Sequence, residues 1–580
     1  MSVPIGDAQA TFAATLVDEW IRAGVTHAVV CPGSRSTPLV LALAERDEIE
    51  LHVRLDERGA CFYAIGLSLA TATPTVVCTT SGTAAAELHA GVVEASHAGV
   101  PLIVCTADRP PRLHHVGAPQ TIEQANLFGG AVRWFFEPGV QNGADSGWWR
   151  SLGARAAIEA TSGAGPVHLN LAFDEPLLGI AGPLPPVRAD GGPWHGIVAF
   201  HSVPADPKHG TQRWGDSGVI VVGSGAPSAE LMLEVADRLG YPVLADPRSG
   251  IRVEHPAVVG AADAILRDPD VRDALAPDTV LVFGGPWASR VLAEFVETAG
   301  RSGAEVVAVD PVSWVDPARV VHEVHPIDKE IYLASLGSLP ARGSTRWRSK
   351  WERAEAAAQA AIDKALDNDW LTAGGRTTEP GALRHLYSWL DAATTLFVSS
   401  SMPVRDLEWY GAPRANPPRV LSNRGANGID GVTSSALGVA AGQDGPVVAV
   451  LGDLAFLHDA SALVVMGEAT RGSCTLVVLD NGGGGIFSFL PHAETIENER
   501  FERLFATVPG VSVSEVARGF GLPVADVSTL GALDEALGRF VGREPCSVIR
   551  VEVPSRRDNV GLHERIHVAV GHATRAVLAG

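Results

Sequence analysis

Along the chain, short apolar runs end in glycine- or serine-rich turns and give way to alanine-rich stretches. The pattern recurs before residue 185 in "HAVVCPGSRSTPLVLALAE", "PTVVCTTSGTAAAELHAGVVEA" and "PLIVCTADRPP". It returns up to about residue 345 in "GVIVVGSGAPSAELMLEVADRLG" and "TVLVFGGPWASRVLAEFV". Beyond that it appears in "TLFVSSSMPVRDLEWY", "GPVVAVLGDLAFLHDASALVVMGEA" and "CTLVVLDNGGGGIFSFL". An apolar strand feeding a helix through a tight turn is the unit of parallel sheets. The pattern predicts an α/β protein of three doubly wound parallel-sheet domains, over residues 1–185, 186–345 and 346–580. The Pro/Gly-rich "GPLPPVRADGGPWHG" reads as a linker. The charged "RWRSKWERAEAAAQAAIDKAL" reads as a connector helix on the surface, and "SVIRVEVP" as the last strand.

Composition narrows the class. At 580 residues the chain exceeds one ordinary core. No apolar run reaches the roughly 20 residues of a membrane helix, and "MSVPIGDAQATFAATLVDEW" lacks the basic and apolar regions of a secretory signal. The six cysteines are scattered without a CxxC, as expected for reduced thiols in a cytoplasmic protein. A formal charge of −21 disfavours nucleic acid and anionic membranes as partners. Arginines gathered in a cleft of such a protein then point to an anionic small molecule.

Two strand ends carry candidate chemistry. "VVAVLGDLAF" ends in a glycine followed by Asp453, and "VVLDNGGGGIF" places Asn481 ahead of four glycines. The two residues stand one strand–helix–strand unit apart. On neighbouring parallel strands they would emerge at one carboxyl edge, where open α/β sheets bind ligands. A carboxylate, an amide oxygen and the Gly483 carbonyl are hard donors suited to Mg²⁺ on a diphosphate. The glycines would let backbone approach metal and phosphate closely. In "LHVRLDERGACFYAIGLSLA", Glu57 opens a helix, and by composition alone it reads as a dipole-stabilising cap.

The "GD…N" spacing resembles the metal–diphosphate motif of thiamine-diphosphate enzymes. The resemblance implies that Asp453, Asn481 and Gly483 hold Mg²⁺ (or Mn²⁺). It implies that Gly452 and Leu454 flank the diphosphate and that Ile486 supports the thiazolium. "DERGACFYAIGLSLA" looks like the pyrimidine-domain segment of that family, which makes Glu57 the acid that shares a proton with the aminopyrimidine. Ser81, in the Ser-Gly-Thr turn, would lie near the cofactor. In the family this domain faces the metal-binding domain of another subunit, implying a homodimer or homotetramer with active sites at the interfaces.

Four arginines follow strands and small-residue turns: Arg35, Arg109, Arg405 and Arg424. Guanidinium forks bind carboxylates in pairs, so substrates with several carboxylates are expected. "PGSRSTPL", "GAPQTI", "SSSMPVRD", "NRGANGIDG" and "IFSFLP" resemble the menaquinone-pathway branch of the family. That branch decarboxylates 2-oxoglutarate and adds the succinyl unit to isochorismate. Its pattern implies Ser34, Arg35, Arg109 and Gln120 for isochorismate, Arg405 and Arg424 for succinyl or ring carboxylates, and Ser401 beside the reacting groups. Phe487 and Leu490 would wall the pocket, and Met402, Gly428, Ile429 and Asp430 would pack near the cofactor. A basic residue from the central segment is also implied; "PWASRVL" offers Ser289 and Arg290, with the role left open. "VVGSGAPSAE" lacks the third glycine of a dinucleotide fingerprint and reads as a degenerate structural domain.

Overall fold

The computed structural model describes residues 3–143, 145–196, 214–310, 316–337, 345–372, 374–464 and 471–579. Among these residues the strands form three six-stranded sheets, every pairing parallel. The first holds β1 (His27–Val30), β2 (Glu50–Val53), β3 (Thr75–Thr79), β4 (Leu102–Asp108), β5 (Trp134–Phe136) and β6 (Pro166–Ala172). The second holds β7 (Gly218–Val222), β8 (Val243–Ala245), β9 (Val258–Val259), β10 (Thr279–Phe283), β11 (Glu305–Val309) and β12 (Glu323–His325). The third holds β13 (Thr395–Val398), β14 (Arg419–Leu421), β15 (Val447–Gly452), β16 (Cys474–Asp480), β17 (Val524–Val527) and β18 (Cys546–Glu552). Strands such as β3, β4 and β7 are buried along their whole length, as expected when helices cover both faces.

Sheets one and three share a topology. Their orders, β2-β1-β3-β4-β6-β5 and β14-β13-β15-β16-β18-β17, superimpose strand for strand. In each, the connections leave in opposite directions from the first strand and its inner neighbour. That switch point lies at β1/β3 in one sheet and β13/β15 in the other, and it leaves a crevice above the strand ends. The second sheet runs β12-β11-β10-β7-β8-β9, with its switch point between β7 and β10. There the two turns are tied together: the Gly223 N–H donates to the Phe283 carbonyl and the Gly285 N–H to the Ser224 carbonyl.

The outer domains meet through a helix crossing. The Glu57–Thr71 helix of the first packs on the Val432–Ala441 helix of the third. Glycines sit at the contact. A Cβ on Gly66 would lie 2.0 Å from the Ser435 carbonyl oxygen, and one on Gly438 would lie 2.1 Å from that of Tyr63. The Ser435 hydroxyl donates to the Phe62 carbonyl across the same contact.

Two expectations need correction. The charged connector forms the Thr345–Thr372 helix, but only its charged face lies on the surface. Trp347, Trp351, Ala354, Ala358 and Ile362 bury one face in the core shared by the central domain and the Arg556–Ala579 helix. Its charged residues had hidden an apolar stripe at helical spacing. The apolar helix expected after Asp453 is a short Asp453–His458 helix and a 3₁₀ turn, Ala460–Leu463; its remainder, 465–470, lies outside the described residues.

Candidate active site

The β15 and β16 ends lie side by side, Gly452 opposite Leu479. Asp453 begins the helix after β15, and its side chain is buried. Its carboxylate accepts from the Leu454 N–H at 2.8 Å and from the Gly483 N–H at 2.7 Å. Burial pushes this carboxyl up to about 7, with the nearby Asp480 carboxylate adding to the rise. Asn481 donates through Nδ2 to the Glu379 carboxylate at 2.9 Å, while its Oδ1 is buried with no hydrogen-bond partner. The Gly483 carbonyl accepts from the Gly485 N–H at 2.9 Å. Buried polar atoms are rarely left unpaired. A buried carboxylate, an orphaned amide oxygen and a backbone carbonyl fit a hard divalent cation.

The glycine run has a local reason of its own. Gly482 and Gly483 have φ of 72° and 133°, a region open mainly to glycine. A Cβ on Gly483 would lie 2.4 Å from the Ala506 carbonyl oxygen, and one on Gly485 would lie 2.6 Å from Asn481 Nδ2. The close approach is therefore to the 501–507 segment and to the Asn481 amide. Arg556 holds the outside of the turn through the Asn481 and Gly482 carbonyls.

At the β13 end, Ser401 adopts φ 70°, a strained conformation for a residue with a Cβ. Arg405 donates to the Ser401 carbonyl at 2.6 Å. Arg424, after β14, places Nη1 3.5 Å from the Ser400 hydroxyl, while its Nε is buried without a partner. Burial, with repulsion from Arg248 and Arg405, lowers Arg424 to about 10. Arg405 is likewise lowered by burial. Two partly desolvated guanidiniums, one repelled by the other, offer a site for an anion. Met402 and Ile486 pack against one apolar cluster. Phe487 and Leu490 stand exposed, at 36% and 41%. Ile429 packs on the core beneath the helix crossing, Asp430 Oδ1 lies 3.9 Å from His458, and Gly428 approaches the Asp430 carboxylate.

The first sheet gathers a second group. Arg109, after β4, donates to the Ser81 hydroxyl at 2.5 Å, and the Ser81 hydroxyl donates to the Gln120 carbonyl at 3.0 Å. Gln120 Nε2 returns a bond to the Ser81 carbonyl. Arg35 is buried beside them, donating to the Phe173 carbonyl and to Glu175. Ser34 is exposed in the same turn. The four arginines thus form two pairs on two sheets.

Glu57 is not the cap that its position suggested. Asp56 caps the helix, accepting from the Arg58 and Gly59 N–H groups. The Glu57 carboxyl is half-buried near Asp56 and Glu87, and burial, then those charges, raise its proton affinity. Asp56 also accepts from the Ser461 hydroxyl at 2.5 Å, and Arg58 donates to the His458 carbonyl at 2.9 Å. These bonds tie the helix start to the segment that follows Asp453.

Several residues in these groups had escaped the sequence reading. Glu379 opens the Glu379–Trp389 helix, where "TTEPG" signals only a helix start. Arg248 follows β8, and the strand–turn–arginine pattern applied to "LADPRSG" would have found it. It supplies the central-domain arginine near Arg424, whereas Arg290 is exposed and paired with Glu294, and Ser289 caps its own helix. Arg248, Arg419 and Arg424 line one cavity of about 480 Å³ where the three domains meet.

Three family models match in sequence. Residues 10–127 match the N-terminal TPP binding domain of thiamine pyrophosphate enzymes, 193–398 the middle domain, and 408–551 the C-terminal TPP binding domain. The chain is a thiamine pyrophosphate enzyme by fold and by domain order. It is 39% identical to the 2-succinyl-5-enolpyruvyl-6-hydroxy-3-cyclohexene-1-carboxylate synthase of Chloroflexus aurantiacus over 95% of this chain and 94% of that one. It is 41% identical to the enzyme of the same name from Thermobifida fusca, over 90% and 93%. The Geobacillus kaustophilus enzyme of that name is 38% identical, over 89% and 90%. Within the thiamine pyrophosphate enzymes, the chain belongs to the 2-succinyl-5-enolpyruvyl-6-hydroxy-3-cyclohexene-1-carboxylate synthase family.

Proposed function

We propose that the chain decarboxylates 2-oxoglutarate and joins the succinyl unit to isochorismate, forming 2-succinyl-5-enolpyruvyl-6-hydroxy-3-cyclohexene-1-carboxylate for menaquinone biosynthesis. Its cofactors are thiamine diphosphate and Mg²⁺ or Mn²⁺. When bound, thiamine diphosphate supplies the electron sink that lets a 2-oxo acid lose carbon dioxide and pass on its acyl carbon as a nucleophile. Asp453, Asn481 and Gly483 would hold the metal, and Gly452 and Leu454 would line the diphosphate. Glu57 would hold a proton at its carboxyl against the pyrimidine ring, a task suited to an acid whose proton affinity burial has raised. Arg405 and Arg424 would grip a substrate carboxylate, with Ser401 beside it. Ser34, Arg35, Arg109 and Gln120 would bind isochorismate, and Phe487 and Leu490 would exclude water from it.

The observation that carries the reading is the unpaired, buried Oδ1 of Asn481 on the turn whose Gly483 N–H binds Asp453. Exposed apolar side chains beside the expected site residues support a homodimer or homotetramer: Leu55 at 60% and Val116 at 68%, with Phe487 and Leu490. In that assembly Glu57 of one copy serves the metal cluster of another. Among the described residues no helix is long and apolar enough to cross a membrane. All six cysteines are free thiols, which suits a reducing cytoplasm. The test supplies the protein with thiamine diphosphate, Mg²⁺ and 2-oxoglutarate, then adds isochorismate and follows its absorbance. Loss of isochorismate that depends on all three supports the proposal; no reaction, with cofactor demonstrably bound, overturns it.

A further inference from the structure

An asparagine side chain has two ends of nearly equal size, and only the oxygen can ligate a cation. Something must fix which end faces the metal. At Asn481 the structure supplies three restraints. Arg556 grips the Asn481 and Gly482 carbonyls and fixes the backbone. Gly485 leaves room for the amide, since a Cβ there would lie 2.6 Å from Nδ2. Glu379 then accepts from Nδ2 at 2.9 Å, leaving Oδ1 as the unpaired end. With Glu379 ionised, a flipped amide would set its oxygen against the Glu379 carboxylate, two acceptors in contact, and would in any case turn N–H donors toward the cation.

Glu379 is held for this task. It is the first residue of its helix, is 2% exposed and is followed by Pro380. Thr378 caps the helix by accepting from the Gly381 N–H at 3.2 Å. The position lies 102 residues from Asn481 in sequence and on a different strand–helix unit. We propose that Glu379 is a positioning residue for the metal, orienting the Asn481 amide so that Oδ1 faces the Asp453 carboxylate. The inference rests on the metal reading of Asp453 and Asn481. Partners that orient a ligand in this way typically contribute 10–100-fold to metal affinity.

The test measures Mn²⁺ affinity by the electron paramagnetic resonance of the free ion, with thiamine diphosphate present. Glu379→Leu should weaken Mn²⁺ binding by roughly 10–100-fold. Glu379→Gln keeps an acceptor oxygen in place and should restore most of the affinity. Asn481→Asp carries oxygen at both ends and needs no orienting, and one of its oxygens would meet the Glu379 carboxylate, so in that background Glu379→Leu should not weaken Mn²⁺ binding. A merely structural role for Glu379 predicts equal losses in both backgrounds, and that result overturns the proposal. So does wild-type affinity in Glu379→Leu while Asn481→Ala has lost it. If Asp453→Ala and Asn481→Ala both bind Mn²⁺ like wild type, the metal reading itself fails.

Discussion

The crossing of the Glu57–Thr71 and Val432–Ala441 helices is built from close backbone contact, and one methyl group should open it. At Gly66 an added Cβ would meet the Ser435 carbonyl oxygen at 2.0 Å, the Val439 nitrogen at 2.8 Å and the Gly438 Cα at 2.9 Å. All three are backbone atoms, so no rotamer change relieves the clash. The helices must separate by more than 1 Å, disturbing the layer around Tyr63, Phe62 and Ala436. Overpacking of this kind costs about 1–3 kcal/mol, while Gly→Ala in a helix returns about 1 kcal/mol. Gly66→Ala should therefore lose up to about 2 kcal/mol. For a unit of 150–250 residues each kcal/mol shifts the midpoint by roughly 2–4 °C. Gly538 supplies the control. It lies in the Leu530–Phe540 helix, is exposed, and a Cβ there meets nothing within 4 Å. Gly538→Ala should raise stability by up to about 1 kcal/mol. Thermal unfolding of both variants beside wild type gives opposite signs if the contact reasoning holds. A stabilised Gly66→Ala would refute it. Because Glu57 starts this helix, Gly66→Ala should also lower turnover below the loss of folded protein.

Glu57→Gln should retain thiamine diphosphate and Mg²⁺ binding and lose turnover by roughly 10²–10⁴-fold; normal carbon dioxide release from 2-oxoglutarate removes Glu57 from its role. Arg424→Gln removes a buried guanidinium that Arg248 and Arg405 repel. A charged hydrogen bond is worth about 1.5–3 kcal/mol, so KM for the dicarboxylate should rise at least about tenfold, and an unchanged KM refutes the assignment. Burial depresses His27 and His563 to about 4 and His52 and His168 to about 3, from an ordinary 6.5. Below pH 6.5 the unfolded chain binds protons there that the folded chain does not. Each such group should lower stability as pH falls from 6.5 toward 4, by roughly 1.4 kcal/mol per unit, while buried carboxyls such as Asp453 and Glu379, raised to about 7, act in the opposite direction. Denaturant titration of His168→Gln beside wild type isolates one histidine: the variant should gain stability relative to wild type as pH falls from 6.5 toward 4, and a constant difference counts against His168.

The alternation of apolar strand, small-residue turn and alanine-rich helix determined the α/β class, because buried parallel strands need unbroken apolar runs and their ends need glycine or serine. Local spacing also placed Asp453 and Asn481 on neighbouring strand ends, because one strand–helix–strand unit fixes their separation. What the sequence could not determine depends on side-chain geometry and on distant contacts. The cap at Asp56 left Glu57 spare, a choice made by side-chain geometry within one turn. The buried face of the Thr345–Thr372 helix became apparent only when the Arg556–Ala579 helix and the central domain closed on it. Arg248 reached Arg424, and Glu379 reached Asn481, through the packing of separate units. Sequence patterns carry periodicity and turn chemistry, which are local. Which buried oxygen ends without a partner, and which charges meet in low dielectric, is decided when three sheets and their helices pack together.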